Sequence, residues 1–432
     1  MSKAPGSLDK KLVGDAAWNY GAFAIMAGTG VALNFFIAAV FGTAALGVFN
    51  QIYAVYVVTA QLAVFGIHDS AQKYIAQHAD DAAVRQTLAR AAVALAAAFG
   101  LGVATVVWLS AGLIGNIVDS QPVGQGIALA APGLFFFAIN KVLMGILNGE
   151  RRMQSFAIIQ GARVLIILGF AFFTAYQDWP AYILGAAFTL AEVLVLTPLL
   201  VLVKPWRNGS EAALGTRVWL RHHLDFGAKA LPNGFLAESY IRIDVLMLAV
   251  FVDDTAVGIY SFAAMFIEGL YQVPVVIRTV VNPVLVGLVK DHDTPALARF
   301  GRRIMVLSLA IFIAAAGAVH LVFPHLAPYF PSGLVNGAAP VLLILTLGLG
   351  AYAAFVPLDF LLLQAGMPGR QSALMTFNIA LNAGLNLTLI PLYGIEGAAM
   401  ATAAAFTLSV VTLNAAIWNW LPMRGGLLFG GR

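Results

Sequence analysis

Apolar residues run in long uninterrupted stretches along this chain, separated by short polar or Gly/Pro-rich breaks. Twelve such segments lie at 16–41, 47–67, 88–114, 126–148, 155–176, 181–203, 227–252, 256–289, 303–323, 338–364, 371–391 and 396–420. Most have the roughly 20 residues that a bilayer-crossing helix needs. A spanning β-strand would alternate polar and apolar positions, and these segments do not. Only a helix satisfies its own backbone hydrogen bonds over such a run in lipid, so the pattern predicts twelve transmembrane helices.

Composition agrees. The chain is 61% hydrophobic and 10% charged, with mean hydropathy +0.87. A soluble domain is nearer half apolar and a quarter charged, so a soluble fold is excluded. The first run is too long for the apolar region of a cleaved leader and is expected to remain as a span. With no cysteine, disulfides and thiolate metal sites are excluded, and no other metal ligand set is expected.

Charge sets the orientation. With the N-terminus inside, twenty of the 24 Lys and Arg residues fall in inner segments, none in outer turns, and four within spans. Such asymmetry places both termini in the cytoplasm. It also accounts for the net charge of +4 without nucleic acid as a partner.

The chain repeats itself. AVFGTAALGVF (39–49) resembles AVFVDDTAVGIY (249–260), GERRMQSFAIIQ (149–160) resembles GMPGRQSALMTF (366–377), and ILGAAFTLAEVLVL (183–196) resembles EGAAMATAAAFTLSVV (396–411). Offsets near six helices predict two six-helix lobes entering the membrane in the same sense, related by an axis along its normal. The expected division is 1–203, a basic cytoplasmic connection 204–226, and 227–432.

LNAGLNLTLIPLYGIEGAAMATA (381–403) resembles a signature of polysaccharide flippases, and IDVLMLAVFVDDTAVGIYSFA (243–263) resembles their central helical hairpin. FGTAALGVFNQIYAVYVVTAQLAVFGIHDSAQKYIA (41–76) looks like its N-terminal counterpart. The chain thus resembles, over essentially its whole length, the multidrug/oligosaccharidyl-lipid/polysaccharide (MOP) exporter superfamily, nearest its Wzx-type oligosaccharide flippases. That resemblance implies a V-shaped pair of six-helix lobes opening alternately to either side. The implied substrate is a polyprenyl-pyrophosphate-linked oligosaccharide, moved to the outer leaflet of a bacterial cytoplasmic membrane. It implies no covalent chemistry and no cofactor, and the pathway's polymerase and glycosyltransferases as partners. The lipid II flippases of the superfamily usually have fourteen spans, which counts against that branch.

Nine ionisable residues fall inside the segments: Lys141, Arg163, Glu192, Glu238, Arg242, Asp244, Glu268, Arg278 and Asp359. Unpaired at mid-bilayer they would cost roughly 25 kcal/mol in total, so they must pair, lie near an interface or line a wet cavity. Arg278 and Asp359 sit close to inner ends, where snorkelling or capping accounts for them. Glu238 and Arg242 have the i, i+4 spacing of a helical ion pair. Asp244 points about 160° away from that pair and needs a cavity or a partner on another helix. In the repeat it aligns with the neutral Asn34.

Arg163 has no acid one turn away on its own helix; Glu192 on the next span is its available counterion. Otherwise Arg163 and Lys141 form a cationic patch for a pyrophosphate, which a guanidinium can engage bidentately, with Arg242 opposite. Glu238, Asp244, Glu268 and Glu192 are then candidate ion-coupling or cleft charges. A proton, a sodium ion or no coupling ion remain equally open. Pro274 removes a helical hydrogen bond between Glu268 and Arg278 and is the expected functional bend.

Two other classes are weighed. A multidrug cation antiporter of the same fold is disfavoured because the first span has no acid after Asp15. A membrane enzyme of the pathway, a polymerase or ligase, is disfavoured by short outer loops whose only acid cluster is Asp253–Asp254. No phosphate-binding loop is present, so ATP bound here does not drive transport.

Overall fold

A computed structural model describes residues 5–206, 215–290, 294–331 and 333–420. Residues 207–214 of the expected inter-lobe connection, which include Arg207, lie outside them. So do Lys3, Arg424 and Arg432 of the inner basic count. The described chain is almost wholly helical: α1 (Pro5–Val40), α2 (Thr43–Val64), α3 (Ile67–Gln77), α4 (Ala82–Ile117), α5 (Gln121–Gly149), α6 (Met153–Tyr176), α7 (Ala186–Val203), α8 (Thr216–Phe251), α9 (Asp254–Lys290), α10 (Thr294–Val322), α11 (Leu334–Ala353), α12 (Leu361–Gln364) and α13 (Pro368–Trp420).

Ten of these are long and apolar enough to cross a membrane. One of the ten, α13, contains two helices, because Gly394 breaks it with φ 57°, ψ −131°. That conformation is open only to a residue without Cβ. Another helix of spanning length, α8, carries too many charges to pass on apolarity. Every predicted segment is therefore helical. One boundary differs: the segment predicted to end at 364 stops at Ala353 and continues as a tight turn, Val356–Leu358, because Pro357 cannot prolong the helix.

Two compact units form, one of Met1–Phe41 with Val48–Arg242, the other of Gly42–Gly47 with Ile243–Arg432. In the first, α5 packs against α3, α4 and α7. The helices show an inverted pattern that suits lipid. On α4, Ala89, Ala92, Ala96, Ala104 and Ala111 are buried, while Leu101, Val106, Leu109 and Leu113 are exposed. Small residues inside let backbones approach, and large ones outside meet acyl chains. In the second unit, α11 packs against α9 and α13. There a Cβ on Gly47 would collide with the Asp254 carbonyl, and one on Gly258 with the Thr43 carbonyl. Both repeats thus place glycine at one close helix contact.

The start of α8 is anchored by His223, which is fully buried. Its Nε2 lies 3.2 Å from the Leu88 carbonyl and its Nδ1 2.8 Å from the Ser70 hydroxyl. A carbonyl only accepts, so Nε2 carries the proton and Nδ1 accepts from Ser70, which is the neutral imidazole. Burial pushes its pKa from 6.5 down to about 4, and burial does the same to His68. The unfolded chain then binds more protons between those values, so stability is full above pH 6.5 and falls as the pH drops toward 4. The slope from His223 is about 1.4 kcal/mol per pH unit across that window. Thermal melts in detergent at pH 7.5 and 5 should show a smaller acid loss for His223→Gln than for the unsubstituted protein. Equal losses would remove His223 from the account.

Candidate functional site

In the first unit, Arg163 on α6 meets Glu192 on α7. Nε lies 2.8 Å from Oε1, and Nη2 donates to Oε2 at 3.3 Å. The Nε contact is off the line of its N–H, which has no hydrogen-bond partner among the described residues. Glu192 is held independently by Asn140 on α5, whose Nδ2 donates to Oε2 at 2.8 Å and to the Glu192 carbonyl at 2.8 Å. Glu192 therefore takes the counterion place. Lys141, half-buried, feels Arg163, Glu238, Asp69 and Glu192 as its charged neighbours.

An aromatic row joins the two arginines. Arg242 lies 4.8 Å from the ring centre of Tyr53 and Arg163 lies 5.3 Å from that of Phe137. Between them Tyr53 stacks on Phe188 at 5.8 Å, Phe188 on Tyr56 at 4.8 Å, and Tyr56 meets Phe137 edge-on at 6.0 Å. A cation over a ring face is attracted by the quadrupole, so the row fixes each guanidinium laterally without neutralising it. Sequence reasoning missed these rings and Asn140. The spacing of Phe49, Tyr53 and Tyr56, one helical stripe on α2, was the available signal.

In the second unit Asp244 is buried and meets three donors from other helices. Tyr260 Oη on α9 donates at 2.9 Å, Asn386 Nδ2 at 2.8 Å and Thr402 Oγ1 at 2.6 Å, the last two on either side of the α13 break. Asn382 supports Asn386 through an Nδ2···Oδ1 bond of 2.8 Å. The expectation of a cavity or a cross-helix partner resolves to partners. The aligned Asn34 of the first repeat accepts from Asn50 at 3.1 Å, also sixteen residues on. The same helix–helix contact recurs with an amide in place of the charge.

Snorkelling or capping does not describe Arg278 and Asp359, which pair with each other. Nη1 reaches Oδ1 at 3.0 Å and Oδ2 at 2.9 Å, and the guanidinium lies 4.3 Å from the Phe360 ring centre. The early end of α11 and the turn at Pro357 bring Asp359 into position. Glu268 is exposed and Glu238 half-buried, and α9 stays helical through Pro274. Asp253, from the outer acid cluster, caps α9 through the Ala256 amide at 2.8 Å. Among the described residues, no group of three His, Cys, Asp or Glu residues is placed to hold a metal.

The chain matches the lipid II flippase MurJ in an inward closed conformation with TM-score 0.74 and 14% identity, over 94% of this chain and 87% of that one. It matches an inward-facing multidrug resistance MATE family transporter of the MOP superfamily with TM-score 0.73 and 14% identity, over 90% and 93%. The protein is a multi-pass membrane protein with the MOP transporter fold. Residues 71–324 match the model of a polysaccharide biosynthesis protein family, and the chain belongs to that family. It is also 31% identical over 182 residues to the probable flippase AglR of Haloferax volcanii, an alignment covering 40% of this chain and 37% of that protein.

Proposed function

We propose that this protein flips a polyprenyl-pyrophosphate-linked oligosaccharide from the inner to the outer leaflet of the cytoplasmic membrane by alternating access, with both termini inside. Membership in a polysaccharide biosynthesis family, a relative described as a probable flippase and the MurJ-like fold support this reading. The observation that carries it is the placement of three cations, Arg163, Lys141 and Arg242, in half-buried positions of one unit, the two guanidiniums set at either end of an aromatic row. A pyrophosphate offers several oxygens to such donors, while the polyprenyl tail stays in lipid. No covalent step is assigned.

The test is translocation of a fluorescent polyprenyl-pyrophosphate oligosaccharide in proteoliposomes. Charge-assisted hydrogen bonds contribute about 1.5–3 kcal/mol, so Arg163→Ala and Arg242→Ala should each slow transfer roughly tenfold or more while remaining folded. Transfer at the unsubstituted rate in both would remove the cationic site.

The Asp244 cluster supports a second reading, a MATE-like cation antiporter, since a buried carboxylate among oxygen-bearing side chains suits a proton or a sodium ion. Extrusion of a cationic dye down a sodium or proton gradient, with no lipid moved, would decide for it.

A further inference from the structure

The flippase reading leaves one question open: how a site that binds a multiply charged headgroup lets it go. We propose that Glu192 is a tethered internal competitor for the phosphate at Arg163, and that Asn140 is the positioning residue that sets how strongly it competes. The inference rests on the cationic-site reading above and deepens it.

Five observations support it. Glu192 does not depend on Arg163 for its place, because Asn140 bonds both its carboxylate and its backbone carbonyl and is itself fully buried. Arg163 holds Glu192 through an Nε···Oε1 ion contact of 2.8 Å that lies off the line of its N–H and one Nη2 hydrogen bond of 3.3 Å. Its side chain keeps 13% exposure against 3% for Glu192, so the guanidinium is the more accessible partner. Its remaining close contacts are soft: the Met144 sulfur at 3.6 Å and the Phe137 ring face. Finally, the buried Tyr56 hydroxyl has no hydrogen-bond partner among the described residues and lies within the fields of both Glu192 and Arg163.

These fit an exchange of partners. An incoming phosphate takes the exposed face of the Arg163 side chain. Glu192 stays in place on Asn140, and the Tyr56 O–H turns to the carboxylate oxygen that Arg163 releases. No carboxylate is left bare in low dielectric, so leaving is as accessible as binding. When the headgroup departs, Glu192 reclaims the arginine. The three residues act as a restoring load on the site.

The prediction is an opposed pair of effects. Glu192→Gln keeps an acceptor for Asn140 but removes the competing charge. It should bind a sugar-free polyprenyl pyrophosphate, in phosphatidylcholine nanodiscs, roughly tenfold more tightly and turn over more slowly. Asn140→Ala frees the carboxylate to close on Arg163 and should bind more weakly. A purely structural role would move both variants the same way, together with their melting temperatures. Unchanged or weaker binding by Glu192→Gln, with Arg163→Ala weakened, overturns the competitor while the cationic site stands. Unchanged binding by Arg163→Ala overturns the site itself. Should Glu192→Gln fail to fold, Asn140→Ala decides alone: weaker binding at an unchanged melting temperature supports the tether, and equal or tighter binding overturns it.

Discussion

Asp244→Ala is expected to lower stability by about 3 kcal/mol, because three donors on α9 and α13 lose an acceptor at once. Tyr260 and Thr402 lose the acceptor they share, Asn386 keeps only Asn382, and lipid supplies no water to replace the carboxylate. The loss should also reach transport, since Asn386 and Thr402 lie on the two sides of the Gly394 break and Asp244 joins both to α8. Asp244→Asn makes a finer distinction. It keeps the volume and one acceptor oxygen but presents an amide to donors that want an acceptor, so its stability should fall between the two. If Asp244 couples transport to an ion, the Asn variant should lose any response to a sodium or proton gradient out of proportion to its stability. Chemical unfolding in mixed micelles measures the first effect and proteoliposome transport the second. An alanine variant as stable as the unsubstituted protein would show that the cluster stabilises nothing.

The difference between Asp244 and Asn34 shows where sequence reasoning reaches and where it stops. Uninterrupted apolar runs made the helices legible, because lipid leaves the backbone one solution. The repeat aligned Asp244 with Asn34, and the structure adds that Tyr260 and Asn50 answer them at the same separation of sixteen residues. The other partners were not legible. Asn386 and Thr402 stand 142 and 158 residues from Asp244 in sequence, and no local spacing encodes a contact across that distance. Asn140 shows the same limit. Alone it is an unremarkable amide beside a lysine; only the approach of α7 to α5 gives it Glu192. Proline carried a different ambiguity. Pro357 ends a segment that apolarity would have continued, whereas α9 passes through Pro274 without breaking. The sequence marks a missing donor in both, and packing decides whether the helix yields.

The second large effect concerns Arg278 and Asp359. Removing either partner strands a charge that is at most 16% exposed, so Asp359→Ala is expected to cost about 3–5 kcal/mol. The informative variant is the double one. Arg278→Ala in the Asp359→Ala background removes the stranded guanidinium, and with it the main source of the penalty. The double variant should therefore be more stable than Asp359→Ala alone, with a coupling energy of about 1–3 kcal/mol in a double-mutant cycle. The comparison separates pairing from packing, because Arg278 also lies against the Phe360 ring and Asp359 accepts from Tyr352 at 3.4 Å. Were packing dominant, losing the arginine stem and its ring contact would make the double variant the least stable of the three. Unfolding free energies in mixed micelles rank them. An additive cycle would mean that the two charges, though 2.9 Å apart, are held by their separate surroundings and not by each other.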